Sequence, residues 1–360
     1  MDFLLRRPVV VAPMAGGPST PGLVIAAAQA HAVGFLAAGY KSAAAMRAEI
    51  EAVRAATATP FGVNVFVPGT PASDPAEVSS YLRSLSADAR ELGAAAGEPA
   101  AVRPALGTPA WDDDHWDAKI ADLLADPPPI VSFTFGCPAA DLVSALREAG
   151  TSVWVTVTKP AEAAIAAAAG ADCLCVQGPE AGAHRGTFTN APTHADEDLS
   201  SGGMSRLLAR VRQVTDLPLV AAGGVMDSVA VAEALAAGAI AVQCGTAFLR
   251  CPESGAHPVH KAALADPRFG ETAVTRAFSG RPARGLVNRF MRDHRDAPAA
   301  YPEVNNATRP LRAAAAAAGD ADRMSLWAGA GYRAATTRPA AEVLDLLCPP
   351  GATESQPPPE

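Results

Sequence analysis

The sequence predicts an α/β protein built as a closed (β/α)8 barrel, a TIM barrel, with a helical lid subdomain after the eighth strand. Three observations carry that prediction. Short β-rich runs alternate with helical stretches, giving eight strands in all. The runs are apolar throughout, as strands are when helices cover both faces of a parallel sheet. The eight units occupy about 250 residues, the usual size of this barrel, whereas an open doubly wound sheet more often has about five or six strands. No G-x-G-x-x-G opens a helix after any of these strands, so the open sheet remains the lesser alternative.

In chain order the strands read as residues 9–14, 34–39, 61–66, 130–135, 151–157, 173–177, 219–222 and 239–244. Most are separated by a single helix, as at 161–169 and 228–237, and this alternation implies parallel strands. Two stretches interrupt it. Residues 68–129 are longer than one helix needs and carry helical patterns at 75–91 and 114–125, so they read as an insertion on the loop side. Residues 251–318 are rich in helix formers and charge and read as a helical layer over the barrel mouth, within a lid or substrate subdomain spanning 251–325. The barrel then covers 1–250, residues 326–348 return to it, and the proline-rich residues 349–360 are expected to be disordered.

With 360 residues, 49% of them hydrophobic and 18% charged, the chain can bury a large core. A net charge of -8 and only four lysines (Lys41, Lys119, Lys159 and Lys261) leave no basic footprint for a nucleic acid or an anionic membrane. Six cysteines without a C-x-x-C pair suggest neither a disulfide framework nor a zinc site, and a reducing compartment. Cys173 and Cys175 alternate along one strand and read as small core side chains, while Cys137, just past a strand end, is the thiol placed to line a pocket. The amino terminus lacks the pattern of a secretory signal, and no apolar run reaches the roughly 18 residues of a membrane helix. The expectation is a soluble cytoplasmic protein without a bound metal.

All strands of a parallel barrel open their carboxyl ends on one face, so residues remote in sequence become neighbours there. The segment Gln177-Gly178-Pro179-Glu180-Ala181-Gly182-Ala183-His184-Arg185-Gly186 follows the sixth strand and delivers an imidazole in a glycine-bracketed loop. The first strand ends in Pro13-Met14-Ala15-Gly16-Gly17, whose small residues let a flat ligand lie against backbone. Asn64 and Gln177 offer amides at two more strand ends, each suited either to a heterocycle edge or to a core or turn role. The last two strands close with Ala222-Gly223-Gly224 and Gln243-Cys244-Gly245-Thr246, the second leading into a helix start. Glycine backbone and a helix amino terminus at this position make a phosphate cradle without any lysine.

Taken in order, Pro13-Met14-Ala15-Gly16-Gly17, Gly34-Phe35-Leu36, Asn64, the Gln177 to Gly186 segment, Ala222-Gly223-Gly224-Val225 and Gly245-Thr246-Ala247-Phe248-Leu249 resemble the nitronate monooxygenases, also known as 2-nitropropane dioxygenases. Tyr301-Pro302 and Leu326-Trp327-Ala328-Gly329-Ala330-Gly331-Tyr332 resemble the carboxyl-terminal blocks of the bacterial class. The resemblance implies noncovalent FMN and oxidation of alkyl nitronates by O2 to a carbonyl compound and nitrite. It implies that Gly223, Gly224, Gly245 and Thr246 hold the FMN phosphate and that Met14, Asn64 and Gln177 lie along the flavin ring and ribityl chain. Pro13, Ala15, Gly182, Ala222, Gln243, Trp327 and Gly329 complete the cofactor set it implies. His184 would face the substrate, as a base toward nitroalkanes or as a positioning group for the anionic nitronate. Ala183 departs from the family, which often has a glycine there. Within the same fold, an FMN-dependent enoyl-acyl-carrier-protein reductase using NADH carries a similar histidine segment, and a flavin-binding protein without turnover is the alternative of another class. The expected partners are a small nitronate or nitroalkane and O2, with a homodimer left open as the assembly.

Overall fold

The structure is a computed structural model and describes residues 5–72, 74–95, 106–191 and 203–350. Its centre is a closed parallel barrel of β1 (Val9–Val11), β2 (Val33–Ala37), β3 (Gly62–Phe66), β4 (Ile130–Thr134), β5 (Ser152–Val157), β6 (Cys173–Gln177), β8 (Leu219–Ala222) and β9 (Ala241–Cys244). These are the eight strands predicted. The last pairs back onto the first, with Val10 opposite Gln243. Helices α1 (Pro21–Gln29), α2 (Ala43–Ala56), α5 (Trp116–Ala125), α6 (Ala140–Glu148), α7 (Pro160–Ala168), α8 (Gly203–Arg212) and α9 (Ser228–Ala236) alternate with the strands. Local chemistry starts several of them: Thr20, Ser42 and Asp227 accept hydrogen bonds from backbone N–H groups in the first turns of α1, α2 and α9, and Pro21 takes the first position of α1.

The barrel interior changes character along its axis because strand side chains alternate in direction. At the amino-terminal end Val10, Phe35, Ile130, Trp154, Cys173, Val220 and Ala241 form one buried apolar plug. Phe35 and Trp154 meet with ring centroids 5.5 Å apart. Gly62 belongs to this layer for a steric reason, since a Cβ there would overlap the Phe35 ring. Two residues further along each strand, the same inward face carries Asn64, Thr156, Cys175, Ala222 and Gln243, which line a cavity instead. The plug closes one end of the barrel and the polar layer becomes the floor of a site at the other.

A second apolar core lies outside the barrel. It draws Val78, Tyr81 and Leu82 from α3 (Pro75–Ser84), Leu92 from α4 (Ser86–Ala95), Phe290 from α11 (Arg289–Asp293), and Val304, Leu311 and Ala315 from α12 (Glu303–Ala317). The insertion and the stretch after β9 therefore share one core, a union that the sequence, in which they stand far apart, did not suggest. The post-barrel stretch also departs from a purely helical layer. Besides α10 (Pro258–Ala263), α11 and α12 it contains the hairpin β10 (Thr272–Thr275) and β11 (Ala283–Leu286). β11 pairs antiparallel with β7 (Ala183–His184), completing a three-stranded sheet in the order β10-β11-β7. The helical pattern expected at 75–91 is broken into α3 and α4 around Leu85. Helix α13 (Ala340–Leu347) packs its Ala340, Val343, Leu344 and Leu347 into the apolar layer around the barrel. Most of the proline-rich tail, residues 351–360, lies outside the described residues. No described helix is long and apolar enough to cross a membrane, and among the described residues no group of three His, Cys, Asp or Glu could hold a metal ion.

Asp88 on α4 fastens the second core. Its carboxylate accepts from Arg323 Nε at 2.9 Å and from His294 Nε2 at 2.8 Å, while only 4% of the residue is exposed. These partners hold the Asp88 carboxyl below its ordinary range against the opposing effect of burial, the largest single influence on it. Replacing Asp88 by Ala leaves Arg323 with Asp320 and Glu91 but strips the carboxylate from its Nε and from His294, so the expected loss of stability is about 2 kcal/mol, that of a charge-assisted hydrogen bond. Urea unfolding of Asp88→Ala beside the parent measures it, and an unchanged midpoint would show that the second core does not depend on this cluster.

Candidate active site

A cavity of about 600 Å³ opens over the carboxyl ends of the barrel strands, within the usual range for small-molecule sites. Every residue of the expected cofactor and catalytic set lines it: Pro13, Met14 and Ala15 after β1, Asn64 on β3, Gln177 at the end of β6, Gly182 and His184 beyond it, Ala222, Gly223 and Gly224 at the end of β8, Gln243, Gly245 and Thr246 at the end of β9, and Trp327 and Gly329 from the segment after α12. The three amides differ in what they leave free. Asn64 donates from Nδ2 to Ser132 Oγ at 2.9 Å and Thr134 Oγ1 at 3.0 Å, which keeps its oxygen for the cavity side. Gln177 is largely occupied by the histidine loop: Nε2 donates to the His184 carbonyl at 3.0 Å and Oε1 accepts from Gly186 N at 2.8 Å. Gln243 Oε1 accepts from the Cys175 thiol at 2.8 Å.

The glycines explain how three loops come together at one end of the cavity. Gly223 and Gly224 have φ of +123 and +73, conformations that a side chain would strain. A Cβ on Gly224 would lie 2.7 Å from Glu180 Cβ, and one on Gly182 would lie 2.5 Å from Gly329 N. The loops after β6 and β8 and the 326–331 segment thus touch backbone to backbone. Gly329 N donates to Thr246 Oγ1 at 3.0 Å, joining the end of β9 to the same cluster. Among the described residues, no acceptor stands opposite the N–H groups of Gly224 and Thr246. Free backbone donors on a glycine-lined wall, one of them opening a 3-10 turn at Thr246–Phe248, are the chemistry of an anion cradle.

At the other end stands His184. Its ring is flanked by Trp327, Tyr301 and Phe135, with centroids 5.4, 5.7 and 5.8 Å away. Nε2 lies 2.8 Å from Ser279 Oγ. Arg281, 4% exposed, stacks its guanidinium 4.0 Å from the centre of the Phe135 ring and donates to the carbonyls of Arg185 and Thr187. Burial first, then the positive charges of Arg281 and Arg312, push the His184 pKa down to about 3. That shift favours the uncharged imidazole at neutral pH, so of the two roles open to it the cationic donor is disfavoured. The Gln177 clamp and the pairing of β7 with β11, His184 opposite Ala283, hold this ring from both sides.

The structure places three aromatic residues of the carboxyl-terminal blocks. Trp327 walls the cavity, whereas Tyr332 is buried in the second core with its hydroxyl on the Phe269 carbonyl. Tyr301 stands beside His184 and donates to the Tyr40 hydroxyl at 3.1 Å. The cysteine expectation is corrected. Cys137 packs against the apolar layer around the barrel, and it is Cys175, inward on β6, and Cys244, at the carboxyl end of β9, that border the cavity. Sequence reasoning did not find Ser279, Arg281, Phe135 or Arg312. The one local signal was the Ser279-Gly280-Arg281 turn, where Gly280 has φ +76.

Fold and site together describe a (β/α)8-barrel enzyme whose cavity has glycine-lined backbone with free N–H donors at one end and a buried imidazole at the other. The family model for nitronate monooxygenase matches residues 1–350. A nitronate monooxygenase of Pseudomonas aeruginosa is 41% identical over 95% of this chain and 95% of its own length, and one of Paraburkholderia phytofirmans is 38% identical over 95% and 92%. Among solved structures, nitroalkane oxidase from Streptomyces ansochromogenes superposes with a TM-score of 0.89 at 48% identity, covering 96% of each chain. FabK from Thermotoga maritima superposes with a TM-score of 0.68 at 25% identity, covering 96% of this chain and 93% of that one. The chain belongs to the nitronate monooxygenase family.

Two cavity-lining histidines make the protein sensitive to acid. His260, whose Nε2 lies 3.0 Å from the Trp327 carbonyl oxygen, is pushed down to about 4 chiefly by burial, and His184 to about 3. Groups with a lower pKa folded than unfolded leave the unfolded chain holding more protons, so stability rises with pH through this window. The thermal midpoint should be level above about pH 7 and fall as pH drops from about 6.5 toward 4. A midpoint that rises on acidification over this range would contradict the neutral burial of both rings.

Proposed function

We propose that this protein is an FMN-dependent oxidase of alkyl nitronates and of neutral nitroalkanes, using O2 and yielding a carbonyl compound and nitrite. The observation that carries the reading is the pairing, in one cavity, of a glycine cradle with unclaimed N–H donors and a neutral histidine in an aromatic cage. The cradle fits the phosphate of FMN: Gly223, Gly224, Gly245 and Thr246 would hold it, and Met14 and Asn64 would face the ring system and its side chain. Bound there, FMN supplies the redox chemistry that passes substrate electrons to O2. His184 supplies the proton chemistry. A neutral imidazole takes the proton from the carbon beside a nitro group, whereas an anionic nitronate needs no such base. The guanidinium groups of Arg281 and Arg312 then lie within electrostatic reach of the protonated ring and of the anion formed, favouring the anion. The cage of Phe135, Tyr301 and Trp327 excludes water around the exchange.

Purified protein should show the visible bands of oxidised flavin and bleach anaerobically with ethylnitronate. Bleaching by NADH alone would move the assignment to a reductase, and no flavin after incubation with FMN would end the reading. His184→Ala should keep its flavin and lose about 100-fold or more in turnover of neutral nitroalkanes, with a smaller loss for nitronates; full activity in steady-state oxygen uptake would remove His184 from the chemistry. Gly245 gives the cleaner test of the cradle, because a Cβ there meets Met14 Sδ at an ordinary 3.4 Å, whereas one on Gly224 strikes Glu180. Gly245→Val should fold and carry less flavin by absorbance, and unchanged occupancy would refute the cradle.

A further inference from the structure

Ser279 is buried completely, at 0% exposure, in the turn that leads into β11. Gly280 fixes that turn: its φ is +76, and a Cβ on it would overlap the Ala300 carbonyl. The Ser279 hydroxyl oxygen has three neighbours at hydrogen-bond distance, namely His184 Nε2 at 2.8 Å, Arg281 N at 3.3 Å and the Arg281 carbonyl oxygen at 3.2 Å. A hydroxyl has one hydrogen to give and two lone pairs to fill. The Arg281 N–H can only donate and the Arg281 carbonyl can only accept. All three contacts are satisfied together in one arrangement: Oγ–H donates to the Arg281 carbonyl, and Oγ accepts from Arg281 N–H and from His184 Nε2–H. The alternative, with Oγ–H donated to Nε2, leaves one lone pair of the hydroxyl empty and forfeits its bond to the Arg281 carbonyl in a sealed place. His184 Nδ1 has no hydrogen-bond partner among the described residues and is not among the buried atoms left without one, while the ring itself lines the cavity.

We propose that Ser279 is a positioning residue that locks His184 in its neutral Nε2–H tautomer, so that Nδ1 is the atom that accepts the substrate proton. The inference deepens the proposed function and names the nitrogen that acts in it. The proton taken from carbon ends on Nδ1, the ring becomes doubly protonated, and the Nε2–H bond to Ser279 is kept throughout. No proton passes to the serine, whose own hydrogen stays on the Arg281 carbonyl.

Nitrogen-15 NMR of the full-length protein as isolated, labelled at histidine, reads the tautomer directly, with the His184 signals assigned by their absence in His184→Asn. The expected result is a protonated Nε2 and an unprotonated Nδ1. Ser279→Ala should turn this into a mixture of tautomers and lower kcat for a neutral nitroalkane by about tenfold or more, with KM changed much less. A parent protein with Nδ1 protonated, or with both tautomers present, overturns the proposal whether or not the variant folds. So does a Ser279→Ala protein that keeps the single Nε2–H tautomer. Because the tautomer is read without turnover, a protein inactive on every nitro compound would defeat the functional reading and leave this one to be decided by the spectrum.

Discussion

Everything in this molecule depends on the alternation of side chains along parallel strands that close on themselves. In such a barrel each strand sends every second residue inward, and successive inward residues climb from one end to the other. Here that climb runs from Ile130 to Ser132 to Thr134, from Trp154 to Thr156, and from Ala241 to Gln243. The lower layer is apolar and filled, so the barrel has a packed interior to fold around. The upper layer is polar or small, so the same closure that seals one end builds a chemically furnished floor at the other.

The walls of the site come from elsewhere. The second core unites helices inserted after β3 with the chain that follows β9, and from it descend Trp327, Tyr301, Ser279 and Arg281. The barrel supplies donors and amides for a large ligand, and the outer core supplies the aromatic cage, the buried cations and the serine that surround the imidazole. His184 sits at the seam. Its loop leaves the barrel at Gln177 and is at once captured as a strand by the hairpin of the other unit.

The barrel, its strand ends and the loop residues that line the cavity at those ends were legible in the sequence, because strand period, glycine punctuation and the topology of parallel strands are local signals with one geometric outcome. The hairpin was not. Thr272–Thr275 and Ala283–Leu286 are four-residue strands carrying no clear alternation, and they form because β7 offers an edge remote in sequence. The environment of His184 was hidden for the same reason: Ser279 and Tyr301 follow it by about a hundred residues, and nothing near them announces that a histidine lies beside them. Cys137 misled because position after a strand does not determine direction. Phe135, at φ +76, turns the chain at that strand end, and the thiol beyond it packs outward.

The three-stranded sheet β10-β11-β7 makes the histidine a shared possession. In most barrels of this kind the loops over the mouth can be exchanged while the catalytic groups stay with the strands that bear them. Here one edge of the loop carrying the imidazole is hydrogen-bonded to chain synthesised about a hundred residues later, and the helices encoded between β3 and β4 lie in that same outer unit, where Asp88 of α4 bonds Arg323 and His294. The two units are therefore not modular. A chimera that joined this barrel to the outer segment of a relative would take the partner of Nε2 and the charges around the ring from that relative, so the reactivity of a residue encoded in the barrel is set by chain outside it.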